Sequence, residues 1–333
     1  MSKKALITGI TGQDAFYLIK LLINLNYQVH GIIRRSSNLN RDRLDRLDNY
    51  LSSINKKKHL TLHYGDLCDS SSVTKVLDLV RPHEIYHLGA QSHVKISFEL
   101  PVYTAEATAL GTLKLLESAR FLKLKSKIYL AGSSEMYGKV TQKIQNEKTP
   151  FYPRSPYGVS KVFSYYAGIN YREAYKMFIC NGILFNHESP ERGENFVSRK
   201  ITLGVASIKL GLKKKLILGN LNAKRDWGYA EDYVRGMYMM MQHNHPDDYV
   251  LATGKSYSVK DFCKLAFQQV DLDWKKYVEV DKKFFRPSEV DYLIGDPSKA
   301  KKILKWQHKL NFSDLVKLMV KSDLKKLQKI NDK

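Results

Sequence analysis

The stretch ALITGITGQDA at residues 5–15 determines the fold class of this chain. Its first four residues, from Ala5 to Thr8, are apolar or β-branched and predict a short buried strand. From Asp14 to Asn26 apolar residues recur with the period of a helix, so Gly9 and Gly12 lie between a strand and a helix. A strand, a glycine-containing turn and a helix in this order predict the first unit of a doubly wound parallel sheet.

The same turn is a candidate phosphate site. Glycine lets the backbone approach an anion closely, and the free N–H groups at a helix N-terminus attract negative charge. The full G-x-G-x-x-G pattern is absent, because Ile10 and Thr11 separate the two glycines and Ala15 occupies the third position. The position of the turn, directly after a strand and before a helix, nevertheless favours a dinucleotide site.

Short apolar runs and amphipathic segments alternate as far as residue 185. They predict further strands at 29–33, 59–64, 84–88, 127–131 and 178–184, and helices near 71–80, 105–122 and 155–175. We therefore predict an α/β chain with a doubly wound parallel Rossmann sheet in residues 1–185, completed by parts of 226–255. A smaller, turn-rich substrate-binding region is predicted mainly in residues 186–333, with Ser313 as the N-cap of the last helix.

The net charge of +22 raises the question of a nucleic-acid partner. The lysines are spread over short runs at 56–58, 213–215, 275–276 and 282–283 and over the C-terminal tail, and no zinc pattern or aromatic RNA-binding signature accompanies them. We therefore predict a lysine-rich surface that attracts anionic ligands, and no nucleic acid as partner.

Three further features concern the compartment and the metal content. The N-terminus runs directly into the first strand without the apolar segment of a secretory signal, and no apolar run approaches the ~20 residues that span a bilayer. Cys68, Cys180 and Cys263 are scattered and lack metal-ligand spacing. These features predict a cytoplasmic protein with reduced thiols, no membrane partner and no metal.

The second predicted strand ends in Arg34, Arg35 and Ser36. An NAD enzyme usually carries Asp or Glu at this point, where the carboxylate accepts a hydrogen bond from the ribose 2′-hydroxyl. Two guanidinium groups and a hydroxyl instead suit a 2′-phosphate, through charge-assisted hydrogen bonds. An exposed basic loop would have the same composition, but this loop follows a candidate phosphate site. The pattern therefore favours NADP as the cofactor.

Tyr157 and Lys161 form a Tyr-x-x-x-Lys pattern on the helix predicted at 155–175. This spacing places the phenol and the ammonium group on one face of the helix. There Lys161 can lower the pKa of the phenol and hold a nicotinamide ribose, while Tyr157 exchanges a proton with a substrate hydroxyl. Because the pattern also occurs by chance on surface helices, its interpretation depends on the residues upstream.

Two residues after the strand predicted at 127–131 strengthen this interpretation. Ser133 follows the carboxyl end of that strand, where parallel sheets bind ligands, and can share a substrate hydroxyl with Tyr157. Glu135 adds a carboxylate that a simple dehydrogenase does not need. Beside a keto sugar, this carboxylate can take an acidified α-proton and pass it to a leaving hydroxyl. The set predicts elimination chemistry.

With these residues in place, the chain resembles the GDP-mannose 4,6-dehydratase family over nearly its full length. The resemblance rests on LITGITGQD (6–14), HGIIRRSS (30–37), LHYGDL (62–67), AQSHV (90–94), SPYGVSK (155–161), NGILFNHESPERGENFVSRKIT (181–202), LGNLNAKRDWGYAEDYV (218–234), FRPSEVD (285–291) and GDPSKAK (295–301). The NHESP and RDWG blocks are specific to this branch of the extended short-chain dehydrogenases, whereas the Tyr/Lys pair is not.

The resemblance implies roles for the matching residues. The catalytic residues it implies are Ser133, Glu135, Tyr157 and Lys161. The implied cofactor-binding residues are Gly9, Gly12, Gln13, Asp14, Arg34, Arg35, Ser36, Asp66, Leu67, Leu88, Ala90, Ser92, Tyr103, Lys161, His187 and Arg192. The residues implied to bind a GDP-sugar are Ser92, Ser133, Glu135, Tyr157, Asn186, Val197, Lys200, Gly219, Arg225, Arg286 and Glu289.

The implied reaction is an internal redox cycle: oxidation at C4 of the sugar, loss of water from C5 and C6, and return of the hydride to C6. The chain departs from the family pattern without losing a catalytic group at Ala15, Gly89, Ala107, Thr108, Ser133, Tyr229 and Glu231. The sugar therefore stays open between mannose and a manno-heptose. The resemblance further implies a homodimer or homotetramer, in which the loop 34–43 reaches a neighbouring subunit.

Two other functions are compatible with parts of the sequence. A nucleotide-sugar epimerase or reductase would share the scaffold, but such enzymes need no elimination acid/base at the position of Glu135. A basic nucleic-acid-binding protein with a dehydrogenase fold that has lost its enzymatic activity would explain the net charge. Such a protein would not need the four candidate catalytic residues.

Overall fold

The computed structural model describes residues 2–35, 41–285, 288–290 and 292–331. Its centre is a parallel sheet whose first six strands are β1 (Lys4–Thr8), β2 (Gln28–Ile33), β3 (Leu60–Tyr64), β4 (Glu84–His87), β5 (Lys127–Ala131) and β6 (Ile179–Leu184). Four short strands follow outside the sheet: β7 (Asn186–Glu188), β8 (Leu216–Leu218), β9 (Lys224–Arg225) and β10 (Trp227–Tyr229). Strand β11 (Asp248–Leu251) then returns to it, beside β6.

The strands of the central sheet lie in the order β11-β6-β5-β4-β1-β2-β3, and every neighbouring pair is parallel. The helices are α1 (Gln13–Asn24), α2 (Asp42–Ser53), α3 (Ser70–Val80), α4 (Val94–Glu99), α5 (Pro101–Thr104), α6 (Gly111–Phe121), α7 (Pro156–Tyr175), α8 (Val197–Lys209), α9 (Ala230–Gln242), α10 (Val259–Gln268) and α11 (Phe312–Asn331). The prediction of a doubly wound α/β fold is confirmed.

The first strand shows why the opening stretch determines the fold. Four of the five residues of β1, from Ala5 to Thr8, are fully buried, because β1 lies between β4 and β2 and helices cover both faces of the sheet. A strand buried on both faces must be apolar throughout, as this one nearly is. The strand order reverses at β1, so the crevice of the sheet opens at the turn that follows it.

A second core holds the C-terminal part together. Helices α8, α10 and α11 pack against each other, and Trp227, Phe262 and Phe312 lie buried between them. The rings of Trp227 and Phe312 are stacked with centroids 5.8 Å apart. Two further strands, β12 (Tyr257–Ser258) and β13 (Val278–Val280), pair with β9 and β8 at the edge of this region. No helix in the described ranges is long and apolar enough to cross a membrane.

The prediction that Ser313 caps the last helix is wrong. Helix α11 begins at Phe312, and the side chain of Asn311 accepts a hydrogen bond from the backbone N–H of Asp314 at 2.9 Å. Asn311 therefore occupies the N-cap position and Ser313 lies in the first turn. The start of the helix is set by Phe312, whose ring is stacked on that of Tyr257 with centroids 3.9 Å apart.

Candidate active site

Two cavities meet at the carboxyl ends of β1 and β4, where the strand order reverses. The first, of about 570 Å³, extends from the turn at 9–14 to Phe284. The second, of about 550 Å³, lies beside the ends of β2 and β3 and shares Gly9 and Gly89 with the first. Open parallel sheets bind their ligands at this crevice, because the connections on either side of it leave to opposite faces of the sheet.

Most of the candidate site residues line one of the two cavities. The first cavity is lined by Gly9, Gly12, Gln13, Asp14, Leu88, Ala90, Ser92, Ser133, Glu135, Tyr157, Lys161, Asn186, His187, Arg192, Val197, Lys200 and Gly219. The second is lined by Gly9, Arg34, Arg35, Asp66, Leu67, Ala90 and Tyr103. Arg225 and Glu289 line neither, and Ser36 and Arg286 lie outside the described residues.

The turn after β1 has the geometry of a phosphate loop. Gly9 has a φ of +70°, and a Cβ atom at this position would lie 2.8 Å from the backbone of Gly89. Only glycine fits both the conformation and the space. The N–H of Gly12 donates to the carbonyl of Gly9 at 2.9 Å, and helix α1 begins at the next residue with its N-terminus at the first cavity. This arrangement can hold an anion without a charged side chain.

A buried network joins the N-terminus of α1 to strand β7. Asp14 Oδ2 and His187 Nε2 lie 2.9 Å apart, and the His187 ring is stacked on Tyr233 with centroids 4.8 Å apart. Gln13 Nε2 donates to the carbonyl of His187 at 3.0 Å, and Ser189 Oγ donates to Gln13 Oε1 at 2.8 Å. The network fixes the phosphate loop against the start of the C-terminal part.

The surroundings of Asp14 and His187 favour the charged form of both groups. Burial alone would raise the pKa of the Asp14 carboxyl, but the charge and hydrogen bond of His187 lower that pKa below its ordinary value. Burial alone would lower the pKa of the His187 imidazole, but the charge and hydrogen bond of Asp14 raise it above its ordinary value. Both shifts favour the ion pair.

The second cavity carries the basic residues after β2. Arg34 and Arg35 are exposed at its mouth, and Arg34 Nη1 donates to the phenol oxygen of Tyr103 at 2.5 Å. Asp66 Oδ1 accepts from the backbone N–H of Cys68 at 2.9 Å, which shapes the wall beside Leu67. The cavity thus combines an apolar wall with two guanidinium groups, which can hold an anionic group at its mouth.

The four candidate catalytic residues converge on the first cavity from two neighbouring elements. Ser155 caps α7 by accepting the N–H of Gly158 at 3.0 Å, which sets the start of the helix that carries Tyr157 and Lys161. Lys161 Nζ donates to the carbonyl of Ala131 at the end of β5 at 2.6 Å. The same ammonium group lies 5.9 Å from the centre of the Tyr157 ring.

Ser133 and Glu135 complete this group from the segment after β5. Ser133 Oγ accepts from the backbone N–H of Glu135 at 3.2 Å, and its hydroxyl acts to lower the pKa of the Tyr157 phenol. Glu135 lies in a short helical turn, Ser134–Met136, and is only 8% exposed. A hydroxyl, a phenol, an ammonium group and a carboxylate therefore face one volume, which is the set needed for both oxidation and elimination.

Burial shifts the pKa values of two of these groups. It raises the pKa of the Tyr157 phenol to about 12, against the opposing hydrogen bond of Ser133. It lowers the pKa of the Lys161 ammonium group to about 8, against the opposing charge of Asp14. Without ligands the phenol is therefore protonated at neutral pH, and a bound substrate hydroxyl meets a proton acceptor only when the phenolate is stabilised.

Arg225 lies beside Glu135 instead of lining a cavity. The guanidinium is 6% exposed, donates to the carbonyl of Val290 at 2.7 Å, and has its Nη2 atom 4.0 Å from Glu135 Oε1. The next residue, Asp226, accepts the backbone N–H groups of Thr253 and Gly254 at 2.8 and 2.9 Å. Arg225 is thus anchored behind the candidate elimination base, while Glu289 directly precedes Val290 in the chain.

Among the other residues that line the first cavity are Arg43, Lys95, Phe196 and Phe284, to which the sequence assigned no ligand contact. Arg43 Nη1 donates to the carbonyl of Thr11 in the phosphate loop at 3.0 Å, although the two residues lie far apart in the chain. Arg192 stacks its guanidinium on Phe196 at 3.8 Å. Phe196 lies within the stretch 181–202 that carries the family resemblance, and Lys95 directly follows the AQSHV stretch, so both carried a signal in the sequence.

Comparison with known proteins identifies the family. The family model described as GDP-mannose 4,6 dehydratase matches residues 6–319. GDP-mannose 4,6 dehydratase 1 of Arabidopsis thaliana is 54% identical to this chain over 97% of it and 90% of that protein. The chain belongs to the GDP-mannose 4,6-dehydratase family. The resemblance seen in the motifs, and with it the interpretation as a lyase of nucleotide-sugar metabolism, is confirmed.

A bacterial member of the GDP-mannose 4,6-dehydratase family has a sequence identity to this chain similar to that of the Arabidopsis protein. The GDP-mannose 4,6-dehydratase of Vibrio cholerae is 48% identical over 99% of this chain and 96% of that protein. Among solved structures, DesIV, the dTDP-glucose 4,6-dehydratase of Streptomyces venezuelae with NAD bound, has a TM-score of 0.82 at 21% identity and 96% coverage of both chains. The UDP-glucose 4-epimerase of Bifidobacterium longum has a TM-score of 0.83 at 22% identity, over 98% of this chain and 99% of that chain. These two structures share the fold.

Proposed function

We propose that this chain converts GDP-mannose to GDP-4-keto-6-deoxymannose, with loss of water and no net redox change. The observation that carries the proposal is the buried carboxylate of Glu135 in the same cavity as Tyr157 and Lys161. An epimerase or reductase needs the phenol and the ammonium group but has no use for a carboxylate at the sugar. A dehydratase needs all three, because elimination requires a second proton acceptor.

In the first step Tyr157 takes the proton of the sugar O4. Its phenolate is stabilised by the ammonium group of Lys161, and Ser133 holds the same sugar oxygen by a hydrogen bond. A bound nicotinamide cofactor would supply the hydride acceptor for C4 and the hydride donor for C6.

In the second step Glu135 takes the proton from C5, which the new 4-ketone has made acidic. The carboxyl then donates this proton to the C6 hydroxyl, which leaves as water. Burial of Glu135 excludes solvent from this transfer, so that the proton removed from C5 is the one delivered to the leaving group. Return of the hydride to C6 leaves an enolate that takes up one proton at C5, and Tyr157 releases the proton that it took from O4. The protons and the hydride therefore balance over the cycle, which needs no external reductant.

The proposal includes NADP as the cofactor. The phosphate loop with Gly9, Gly12, Gln13 and Asp14 is assigned to the pyrophosphate, and Asp66 with Leu67 to the adenine. Arg34, Arg35 and Ser36 are assigned to the 2′-phosphate. Leu88, Ala90, Ser92 and Lys161 are assigned to the nicotinamide half, and His187 and Arg192 to further contacts with the cofactor. Tyr103 was expected near the nicotinamide, but it lines the second cavity and accepts a hydrogen bond from Arg34, so it is assigned to the adenosine half. The support for NADP over NAD is the pair of guanidinium groups at the mouth of the second cavity.

Arg34→Gln is expected to weaken binding of NADPH by roughly 10- to 100-fold, because it removes a charge-assisted hydrogen bond worth about 1.5–3 kcal/mol. Binding of NADH, which lacks the 2′-phosphate, should stay within about twofold of the parent. Arg41→Gln removes the same charge from a residue outside both cavities and serves as the control. Fluorescence titration with both dinucleotides measures the effect. An equal loss of affinity for NADPH and NADH would mean that Arg34 supports the structure of the site and does not bind the 2′-phosphate.

The GDP-sugar is assigned to the remainder of the first cavity. The residues proposed to contact it, besides the catalytic group and Ser92, are Asn186, Val197, Lys200, Gly219, Arg225, Arg286 and Glu289. In terms of domains, we assign the cofactor to residues 1–185 completed by parts of 226–255, and the GDP-sugar mainly to residues 186–333. Strand β11, at 248–251, is part of the central sheet and supports this division.

Mass spectrometry of the purified protein with GDP-mannose and, in parallel, GDP-manno-heptose tests the function. We expect GDP-mannose to lose one water without added reductant, and to do so faster than the heptose. A faster loss from the heptose would change the substrate and keep the reaction. No loss from either, with the cofactor bound, would remove the elimination role of Glu135 and favour an epimerase or reductase.

We propose self-association into a homodimer or homotetramer as part of the same function. Val159, Phe163 and Tyr166 lie on one face of α7, with 56%, 41% and 56% of each residue exposed. Light scattering at working concentration tests the assembly, and a monomer mass would contradict it. A cytoplasmic location belongs to the same proposal and is tested by cell fractionation.

A further inference from the structure

A group of lysines surrounds the ring of Phe284 at the first cavity. Lys200 Nζ lies 4.0 Å from the ring centroid, Lys283 Nζ lies 5.2 Å from it, and Lys95 Nζ lies 5.5 Å from it. Lys95, Lys200 and Phe284 line the cavity, whereas Lys283 is exposed and pairs with Asp281 at 3.0 Å. We refer to Lys95, Lys200 and Phe284 as the lysine clamp.

The clamp has a fixed wall. Phe284 ends a short helical turn, Lys282–Phe284, and a Cβ atom at Gly219 would lie 2.8 Å from the carbonyl oxygen of Phe284. The end of β8 and this turn are therefore in close backbone contact. On the other side, Lys95 Nζ donates to the carbonyl of Lys283 at 3.3 Å, which joins α4 to the same turn. Each lysine is further stabilised by the face of the ring.

The charges of the clamp favour an anionic ligand. Among the ion pairs formed between described residues, none includes Lys95 or Lys200. Burial lowers the pKa of the Lys200 ammonium group, and the neighbouring charges of Lys213, Lys95 and Lys283 lower it further. Holding cations together inside a cavity costs free energy that an anion would recover.

We propose that Lys95 and Lys200 hold the diphosphate of the GDP-sugar, with the ring of Phe284 keeping the two ammonium groups in place. This inference rests on the proposed function, because it adds Lys95 and Phe284 to the substrate site of that reaction. Two cations on one ring suit two linked phosphate groups, since each can contact one of them. The pyrophosphate of the cofactor is assigned to the turn at residues 9–14, which belongs to different secondary-structure elements from those of the lysine clamp.

Binding of GDP to the full chain, saturated with NADP, tests the role of Lys95. We expect Lys95→Gln to weaken GDP binding by about tenfold or more, and Lys95→Arg to stay within about threefold of the parent. Lys282→Gln removes the same charge from the same turn without touching the ring, and should change the affinity by less than about twofold. The affinity for guanosine, which has no phosphate, should be equal in all of these proteins. Parental GDP affinity in Lys95→Gln would overturn the proposal, and so would an equal loss for guanosine.

Proton uptake provides a second measurement, on Lys200. Because its pKa is lowered in the free protein, GDP binding should bring a proton to Lys200 at alkaline pH, below the ordinary lysine pKa. Calorimetry in buffers of different ionisation enthalpy should detect this uptake in the parent and a smaller one in Lys200→Gln. Equal proton uptake in the parent and in Lys200→Gln would show that Lys200 does not contact the diphosphate.

Two controls distinguish a diphosphate site at the lysine clamp from a role in cofactor binding and from the proposed dehydratase reaction. NADPH binding should be unchanged in Lys95→Gln, and a loss there would assign the clamp to the cofactor pyrophosphate and overturn the proposal. Turnover of GDP-mannose by the parent is measured independently: if the parent binds GDP through the clamp but releases no water from the sugar, the proposed reaction fails while the diphosphate site stands.

Discussion

Tyr157→Phe is expected to abolish the first hydride transfer while leaving the protein folded and the cofactor bound. The residue is 8% exposed, and phenylalanine fills the same space without the hydroxyl that takes the O4 proton. Loss of a positioned general base lowers a rate by about 10²- to 10⁴-fold. Single-turnover absorbance of the reduced nicotinamide with GDP-mannose measures this step directly. Tyr175→Phe, at an exposed site near the end of the same helix, is the matched control and should keep the parental rate.

The pH dependence of the same step gives an independent check. Burial raises the pKa of the Tyr157 phenol to about 12, so the phenolate is the minor form at neutral pH and its fraction increases as the pH rises. The parental rate of C4 oxidation should therefore increase with pH through the neutral range. The residual rate of Tyr157→Phe should lack that increase. An undiminished rate in the variant, or an unchanged pH profile, would place the base elsewhere in the cavity.

The fold was predictable because its signals are local. Residues 5–15 contain a buried strand, a glycine turn and a helix start within eleven positions, and the structure confirms all three. The start of α11 was less predictable, since Asn311 and Ser313 are both good capping residues. Packing decided between them: Phe312 is stacked on Tyr257 in the second core and must lie in the first turn. Tertiary contacts of this kind leave no periodic pattern in the sequence.

The candidate site was predictable only in part, for the same reason. The pattern of Tyr157 and Lys161 is local to one helix, and the motif blocks placed most of the other residues around the cavities. The ion pair of Asp14 and His187 joins residues 173 positions apart, and the sequence around either residue does not indicate that the two side chains meet. Arg225 shows the same limit, because the resemblance implied only a contact with the GDP-sugar, whereas its position beside Glu135 depends on how β9 packs.

Glu135→Gln is expected to stop the reaction after C4 oxidation. Glutamine keeps the volume and can still accept a hydrogen bond from a neighbour, but an amide does not take a carbon-bound proton at neutral pH. C5 should therefore keep its proton, and the 4-keto sugar should accumulate to about one equivalent per active site together with the reduced cofactor. Elimination should slow by about 10²- to 10⁴-fold. Arg225, whose Nη2 atom lies 4.0 Å from the Glu135 carboxylate, should keep its place through its bond to the carbonyl of Val290.

Deuterium exchange at C5 in heavy water distinguishes the two chemical steps in this variant. We expect Glu135→Gln to form reduced nicotinamide at close to the parental rate and to show almost no exchange at C5. Glu173→Gln, an exposed carboxylate near the end of α7, should behave as the parent in both measurements. Exchange without 6-deoxy product would mean that another group removes the C5 proton and that Glu135 acts only as the acid. Formation of 6-deoxy product at the parental rate would show that Glu135 has no part in the elimination. The carboxylate of Glu135 would then no longer distinguish this site from that of an epimerase.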